Sequence, residues 1–149
     1  MILRHKPNLD SDTRAKLINC SYGVIGCLHD VNRQLPCGLP EYVYQEGLEE
    51  SLKMHDYSFH KEYTHHPIFN GKQMRSFLRM DFVVELPDCN IIIECKAVSG
   101  LTRIERQQLF SYLIGTGFPI GILVNFATYP KAEIERYYFD VDDMTITAF

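Results

Sequence analysis

The 149-residue chain predicts an α/β fold, a mixed sheet of four strands or slightly more with helices against it. Three observations lead there. The periodic segments run in the order α-α-β-β-β-α-β. The stretch 120–126 is almost continuously apolar, as a strand covered on both faces is. Turn signals at Asn70-Gly71 and Pro87-Asp88 divide the strand-like runs before it.

Residues 1–10, which include Pro7, read as a loose lead-in to a single domain spanning 1–149. Ser11 or Asp12 can cap a first helix. Leu17, Cys20, Val24, Cys27 or Leu28, Val31 and Leu35 then recur at spacings of three and four, which predicts an amphipathic helix over 13–35. Pro36-Cys37-Gly38 ends it, and Pro40 suits the first turn of a second helix running to about His55. A first strand is expected over 58–69, with Asn70-Gly71 as its hairpin turn, a second over 75–86 and a third over 90–98. Ser99-Gly100 breaks the chain before a third helix over 102–115, which Gly115 and Gly117 close. A fourth strand follows at 120–126, and 134–149 fits a final hairpin around 140–143.

Composition excludes several classes. The 46% hydrophobic and 23% charged content is that of a globular chain. No apolar stretch approaches the roughly 20 residues a membrane helix needs, so no membrane partner is expected. Five cysteines, at 20, 27, 37, 89 and 95, form no C-x-x-C pair, which favours reduced thiols and a cytoplasmic location. The formal charge of −4 argues against a broadly basic surface. Residues 61–110 nevertheless carry seven Lys or Arg against six Asp or Glu, leaving a central segment that permits a phosphate-binding face.

The chemistry concentrates in Leu78–Val84 and Ile91–Lys96. Side chains alternate along a strand, so Glu94 and Lys96 share a face at the end of an Ile91-Ile92-Ile93 run. Unpaired charge beside a core costs several kcal/mol, roughly, and a divalent cation would offset it. Asp81 and Glu94 would bind that cation through oxygen, with Lys96 beside the water it activates. The bland reading is a surface ion pair between Glu94 and Lys96 with Asp81 in a turn. Glu41 opens the second helix on the face of Leu48 and Leu52, so its carboxylate points at the sheet; an acid there also favours a helix N-terminus wherever it faces. Gln108 stands one turn before Tyr112 on the third helix, within reach of Lys96 or a phosphate. His65 and His66 are adjacent on a strand and face opposite sides, so they make no joint metal site.

Gly38-Leu39-Pro40-Glu41-Tyr42-Val43-Tyr44 spells G-x-x-E-x-x-Y, the signature of the GxxExxY family within the PD-(D/E)xK nuclease superfamily. The resemblance continues through Arg79-Met80-Asp81, Ile93-Glu94-Cys95-Lys96, Gln108 to Leu113, and Val124-Asn125-Phe126, covering about 20–140. It implies a restriction-endonuclease-like core with Asp81, Glu94 and Lys96 as the central site. Glu41 would be the helix-borne carboxylate beside it and Gln108 the accessory helix residue. The chain departs from the family at Met80, where the superfamily name has proline, and at Asn32 and Pro36-Cys37, where family members often read His and Gly-Pro.

The reading is a metal-dependent nuclease hydrolysing phosphodiesters of nucleic acid, DNA before RNA. Asp81, Glu94, the Cys95 backbone carbonyl and Glu41 would hold Mg²⁺ or Mn²⁺. A partner protein or a homo-oligomer is compatible with it. The rivals are a non-catalytic binding or assembly protein that keeps the nuclease fold, and a site acting on a small phosphoester.

Overall fold

The computed structural model describes residues 8–149. Its elements are α1 (Ser11–Gln34), α2 (Glu41–Met54), β1 (Ser58–His65), β2 (Ile68–Phe69), β3 (Lys72–Gln73), β4 (Leu78–Glu85), β5 (Asn90–Lys96), α3 (Arg103–Thr116), β6 (Ile120–Asn125), β7 (Glu133–Asp140) and β8 (Thr145–Ala148). Six strands form one mixed sheet in the order β1-β4-β5-β6-β7-β8. Only β5 and β6 pair in parallel, joined by the crossover through α3.

The isoleucine run explains the layering. Ile91, Ile93 and Cys95 face α1 and α2, in a core with Val24, Leu28, Tyr44, Leu48, Phe82 and Val124. Ile92 faces the other way, into a second core with Leu109, Leu113, Met80, Val83 and Leu123 under α3. All three isoleucines are fully buried, each contributing about 1.5–3 kcal/mol of burial. Alternation with both faces covered makes an unbroken apolar run. At Gly121 an added Cβ would come within 3.0–3.2 Å of Leu109, so α3 packs onto β6 through a position without a side chain.

The helix ends follow local chemistry with one correction. Asp10, not Ser11 or Asp12, caps α1. Its Oδ1 accepts from the Thr13 N–H at 2.8 Å and its Oδ2 from the Thr13 hydroxyl at 2.8 Å. Leu9 already packs against the core, so the expected lead-in does not extend to it; residues 1–7 of that lead-in lie outside the described residues. At the start of α3, Thr102 and Glu105 form a reciprocal capping box, and Gly117 closes the helix at φ 76°.

The strand expected over 58–69 is two pieces. β1 pairs with β4 from Ser58↔Glu85 to His65↔Leu78. Pro67 has no N–H to continue that ladder. Beyond it, β2 and β3 form a separate two-stranded ribbon, with Asn70 and Gly71 at its turn (φ 51° and 73°). The tail forms the expected hairpin and extends the sheet by β7 and β8. Cys20 and Cys89, far apart in sequence, bring their sulfurs to 2.8 Å as free thiols.

Candidate active site

The β4–β5 ladder is regular from Glu85↔Asn90 to Phe82↔Ile93. Beyond it, carboxylates take over the hydrogen bonds. The Asp81 N–H donates to Glu94 Oε1 at 2.8 Å, and the Cys95 N–H donates to Asp81 Oδ2 at 2.9 Å. The two acids are thereby locked face to face across the strands, each with one oxygen outside this pair of bonds. A strand residue's N–H and C=O point to the same side, so the Cys95 carbonyl also faces this opening.

Lys96 follows on the same face as Glu94. Its Nζ donates to Gln108 Oε1 at 2.7 Å and stands 4.0 Å from Glu94 Oε2. Gln108 thus holds the ammonium beside the acids without a tight ion pair. Glu94 is 3% exposed, which rules out the bland reading of a surface salt bridge at a strand end.

Glu41 arrives from α2, and its placement explains the spacing of Gly38, Glu41 and Tyr44. Gly38 adopts φ +94°, a left-handed turn that glycine makes without strain. The Tyr44 hydroxyl donates to the Pro36 carbonyl and accepts from the Leu39 N–H at 3.2 Å, while its ring stacks on Phe126 at 4.9 Å. Turn and helix start are pinned together, and Glu41, the first residue of α2, is aimed over the end of β5. Asn125, fully buried at the end of β6, braces the chain after Lys96. It accepts from the Val98 N–H at 3.0 Å and donates to the Val98 carbonyl at 2.9 Å.

Asp81, Glu94, Lys96, Glu41 and Gln108 line one polar cleft of about 360 Å³. Gln45, Tyr112, Lys61, Glu62 and Arg79 complete it. Gln45 donates to Glu41 Oε1 at 3.3 Å; its position one turn after Glu41, on the face of Leu48 and Leu52, was the signal that could have found it. Lys61 had no sequence signal, because only the β1–β4 pairing brings it to the cleft, whereas Arg79 stands two residues before Asp81 on β4 itself. They are held by Glu49 at 2.9 Å and Glu62 at 2.8 Å. Glu62, opposite Asp81 in the β1–β4 register, has φ 57° and drops out of the ladder.

The electrostatics are those of crowded acids. Burial, then the charge of Asp81, pushes Glu94 up to about 8, against the opposing pull of the Asp81 N–H and Lys96. Asp81 is raised by burial, against the Cys95 N–H and Lys96. Glu41 is raised by burial and by Asp81. Burial and the nearby acids also push the Tyr112 phenol up to about 12, so it stays protonated. Among the described residues no three His, Cys, Asp or Glu side chains are arranged to hold a metal by themselves. The donor set still fits a hard cation: two carboxylate oxygens not taken by the cross-strand bonds, a strand carbonyl turned toward the opening, and Glu41 nearby. Acids whose ionisation is disfavoured together are ones a dication would relieve.

The family profile of the PD-(D/E)XK nuclease superfamily matches residues 19–137. Nucleases of that superfamily generally use divalent metals and act on nucleic acid. The chain is also similar in fold to the crystal structure of SSO0001, with a TM-score of 0.51 and 22% identity. That match covers 90% of this chain but 63% of SSO0001, so the chain spans less than two thirds of that protein. No curated protein matches it. Among the described residues no helix is long and apolar enough to cross a membrane. Since the matched stretch runs from α1 into β7 and takes in every residue of the cleft, the chain belongs to the PD-(D/E)XK nuclease superfamily.

Proposed function

We propose that the protein is a nuclease hydrolysing phosphodiesters of nucleic acid, DNA in preference to RNA, with Mg²⁺ or Mn²⁺. Within the superfamily, the pinned Gly38…Glu41…Tyr44 turn supports the GxxExxY branch. The observation that carries the reading is the crossed pair of bonds between Asp81 and Glu94, with Lys96 held beside them by Gln108. Asp81, Glu94 and the Cys95 carbonyl would hold the ion, with Glu41 joining through a water or a second ion. Bound there, the cation would supply Lewis-acid polarisation and a lowered water pKa.

The chain's own residues supply the rest. The crossed bonds fix both acids before substrate arrives, so little reorganisation is needed during reaction. Lys96 places its positive charge where a nucleophilic hydroxide and the phosphorane charge would develop, and Gln108 fixes its direction. Gln45 steadies Glu41. A cytoplasmic setting belongs to the same proposal, supported by the five free thiols.

Two measurements test it. Calorimetry should show Mn²⁺ binding in wild type and none in Asp81→Ala. Wild type should cleave at least one of single-stranded DNA, double-stranded DNA and RNA with Mg²⁺ or Mn²⁺, and Asp81→Ala none. A protein that binds Mn²⁺ yet leaves all three intact would be better read as a binding or assembly protein that keeps the fold.

A further inference from the structure

The ribbon beyond the cleft is unlike the rest of the surface. Between Glu62 and Asp81 there is no acidic residue, while Lys72, Arg75 and Arg79 are present, in a chain whose net charge is −4. Lys72 and Arg75 are exposed and make no ion pair among the described residues. Among these cations stand three large apolar side chains turned to solvent: Ile68 at 72% exposure, Phe69 at 65% and Phe77 at 57%. Lys72 lies directly across from Phe69 in the β2–β3 register, so the cation and the ring share a face.

This surface is preformed. The Met74 N–H donates to the Pro67 carbonyl at 2.8 Å, and His66 Nδ1 lies 3.0 Å from the Met74 carbonyl. The His66 ring rests against Phe77, with centroids 5.6 Å apart. The ribbon is also continuous with the cleft. Asp81 and Leu78 lie on one strand, roughly 10 Å apart at about 3.3 Å per residue, and Phe77 comes next. That is the length of about three stacked nucleotides. Arg79, which lines the cleft, lies between.

We propose that the β2–β3 ribbon binds single-stranded nucleic acid flanking the scissile phosphate, stacking unpaired bases on Phe69 and Phe77 while Lys72 and Arg75 meet phosphates. Exposed rings separate this from duplex binding. A duplex offers phosphates on its outside and keeps its base faces stacked, so Phe69 and Phe77 would gain little there; unpaired bases offer a π-face to each ring. The inference rests on the nuclease reading for the position of the scissile bond, but its binding component stands apart from catalysis.

The test is fluorescence anisotropy with a 12-nucleotide single strand and the matching duplex, without divalent cation. Wild type should prefer the single strand. Phe69→Ala/Phe77→Ala should weaken it by about tenfold or more per ring, while Phe69→Trp/Phe77→Trp keeps or tightens it. Lys72→Glu/Arg75→Glu should lower the salt slope by about 1.4, the value for two phosphates of a single strand. Hydrolysis of bis-p-nitrophenyl phosphate with Mn²⁺, which needs no ribbon, should be equal in wild type and all ribbon variants. Equal single-strand binding by wild type and the double alanine variant would overturn the proposal, as would a preference for duplex. So would a wild-type self-association, measured by sedimentation, that the ribbon substitutions abolish without touching nucleic-acid affinity. If the small diester is inert but ribbon-dependent binding is present, the hydrolytic reading fails and the ribbon inference stands.

Discussion

The two halves of the β4–β5 pair are built on opposite principles. From Glu85↔Asn90 to Phe82↔Ile93 the backbones pair and the inward side chains are apolar. From Asp81 and Glu94 onward, carboxylates occupy the acceptor positions. The first half is stable by burial. The second is tolerable because each acid accepts a backbone N–H, while burial disfavours the ionised form of both. The closed half therefore fixes the register that the open half needs, since a one-residue slip would send Glu94 and Lys96 to the α1–α2 side.

The largest effect is expected from damaging the closed half. Ile92→Ala removes a fully buried side chain from the core under α3 and should lower unfolding free energy by about 2–5 kcal/mol, read from urea denaturation. A loss under about 1 kcal/mol would mean that this half does not carry the fold. Lys96→Ala acts on the open half alone. A protonated lysine cannot ligate a cation, so Mn²⁺ affinity by calorimetry should be unchanged or tighter. Phosphodiester cleavage should fall by about 10²-fold or more, the scale for losing one preorganised charge. Equal Mn²⁺-dependent rates would remove Lys96 from the chemistry.

What was legible in the sequence follows the same division. Ile91 through Lys96 announced both the buried strand and its charged end, because period-two alternation and the Glu-x-Lys spacing survive in one segment. Glu41 and Gln108 could be placed from helical spacing. The partners brought in by strand pairing could not: Lys61 and Glu62 reach the cleft only through the β1–β4 register, which depends on Pro67 ending β1 before the Asn70-Gly71 turn. The Cys20–Cys89 contact is hidden for the same reason, since it joins α1 to the β4–β5 turn.

pH sharpens the contrast in one direction. Glu94 sits at about 8 in the fold against an ordinary 4.5, so between those values the folded protein holds more of its protons than the unfolded chain does. The resulting stability is fully present below about pH 4.5 and is lost as pH rises to about 8. Glu94→Gln should lack this component: the metal-free variant should lose less stability than wild type from pH 5 to 8 in parallel denaturation series. Mn²⁺ should reverse the trend in wild type, because ionising Glu94 to bind it releases a proton and favours higher pH. Parallel curves for wild type and Glu94→Gln would show that this carboxyl does not titrate in that window.

The smallest effect, and the finest separation, comes from two changes at Asp81. Asparagine keeps an acceptor for the Cys95 N–H, now at 2.9 Å from Oδ2, while removing a charge that burial disfavours and that pushes Glu94 upward. Metal-free Asp81→Asn should therefore melt at the wild-type temperature or a few degrees above it, about 2–4 °C for each kcal/mol regained. Alanine removes both charge and acceptor and leaves the Cys95 N–H without a partner at the point where the ladder has ended, which costs about 1–3 kcal/mol. Asp81→Ala should melt lower than Asp81→Asn, and both should lose any stabilisation by Mn²⁺. If asparagine instead destabilises as much as alanine, the charge itself supports the fold. The open half of the ladder would then be held by attraction between Asp81 and Lys96, and the neutral crossed bonds would not be enough.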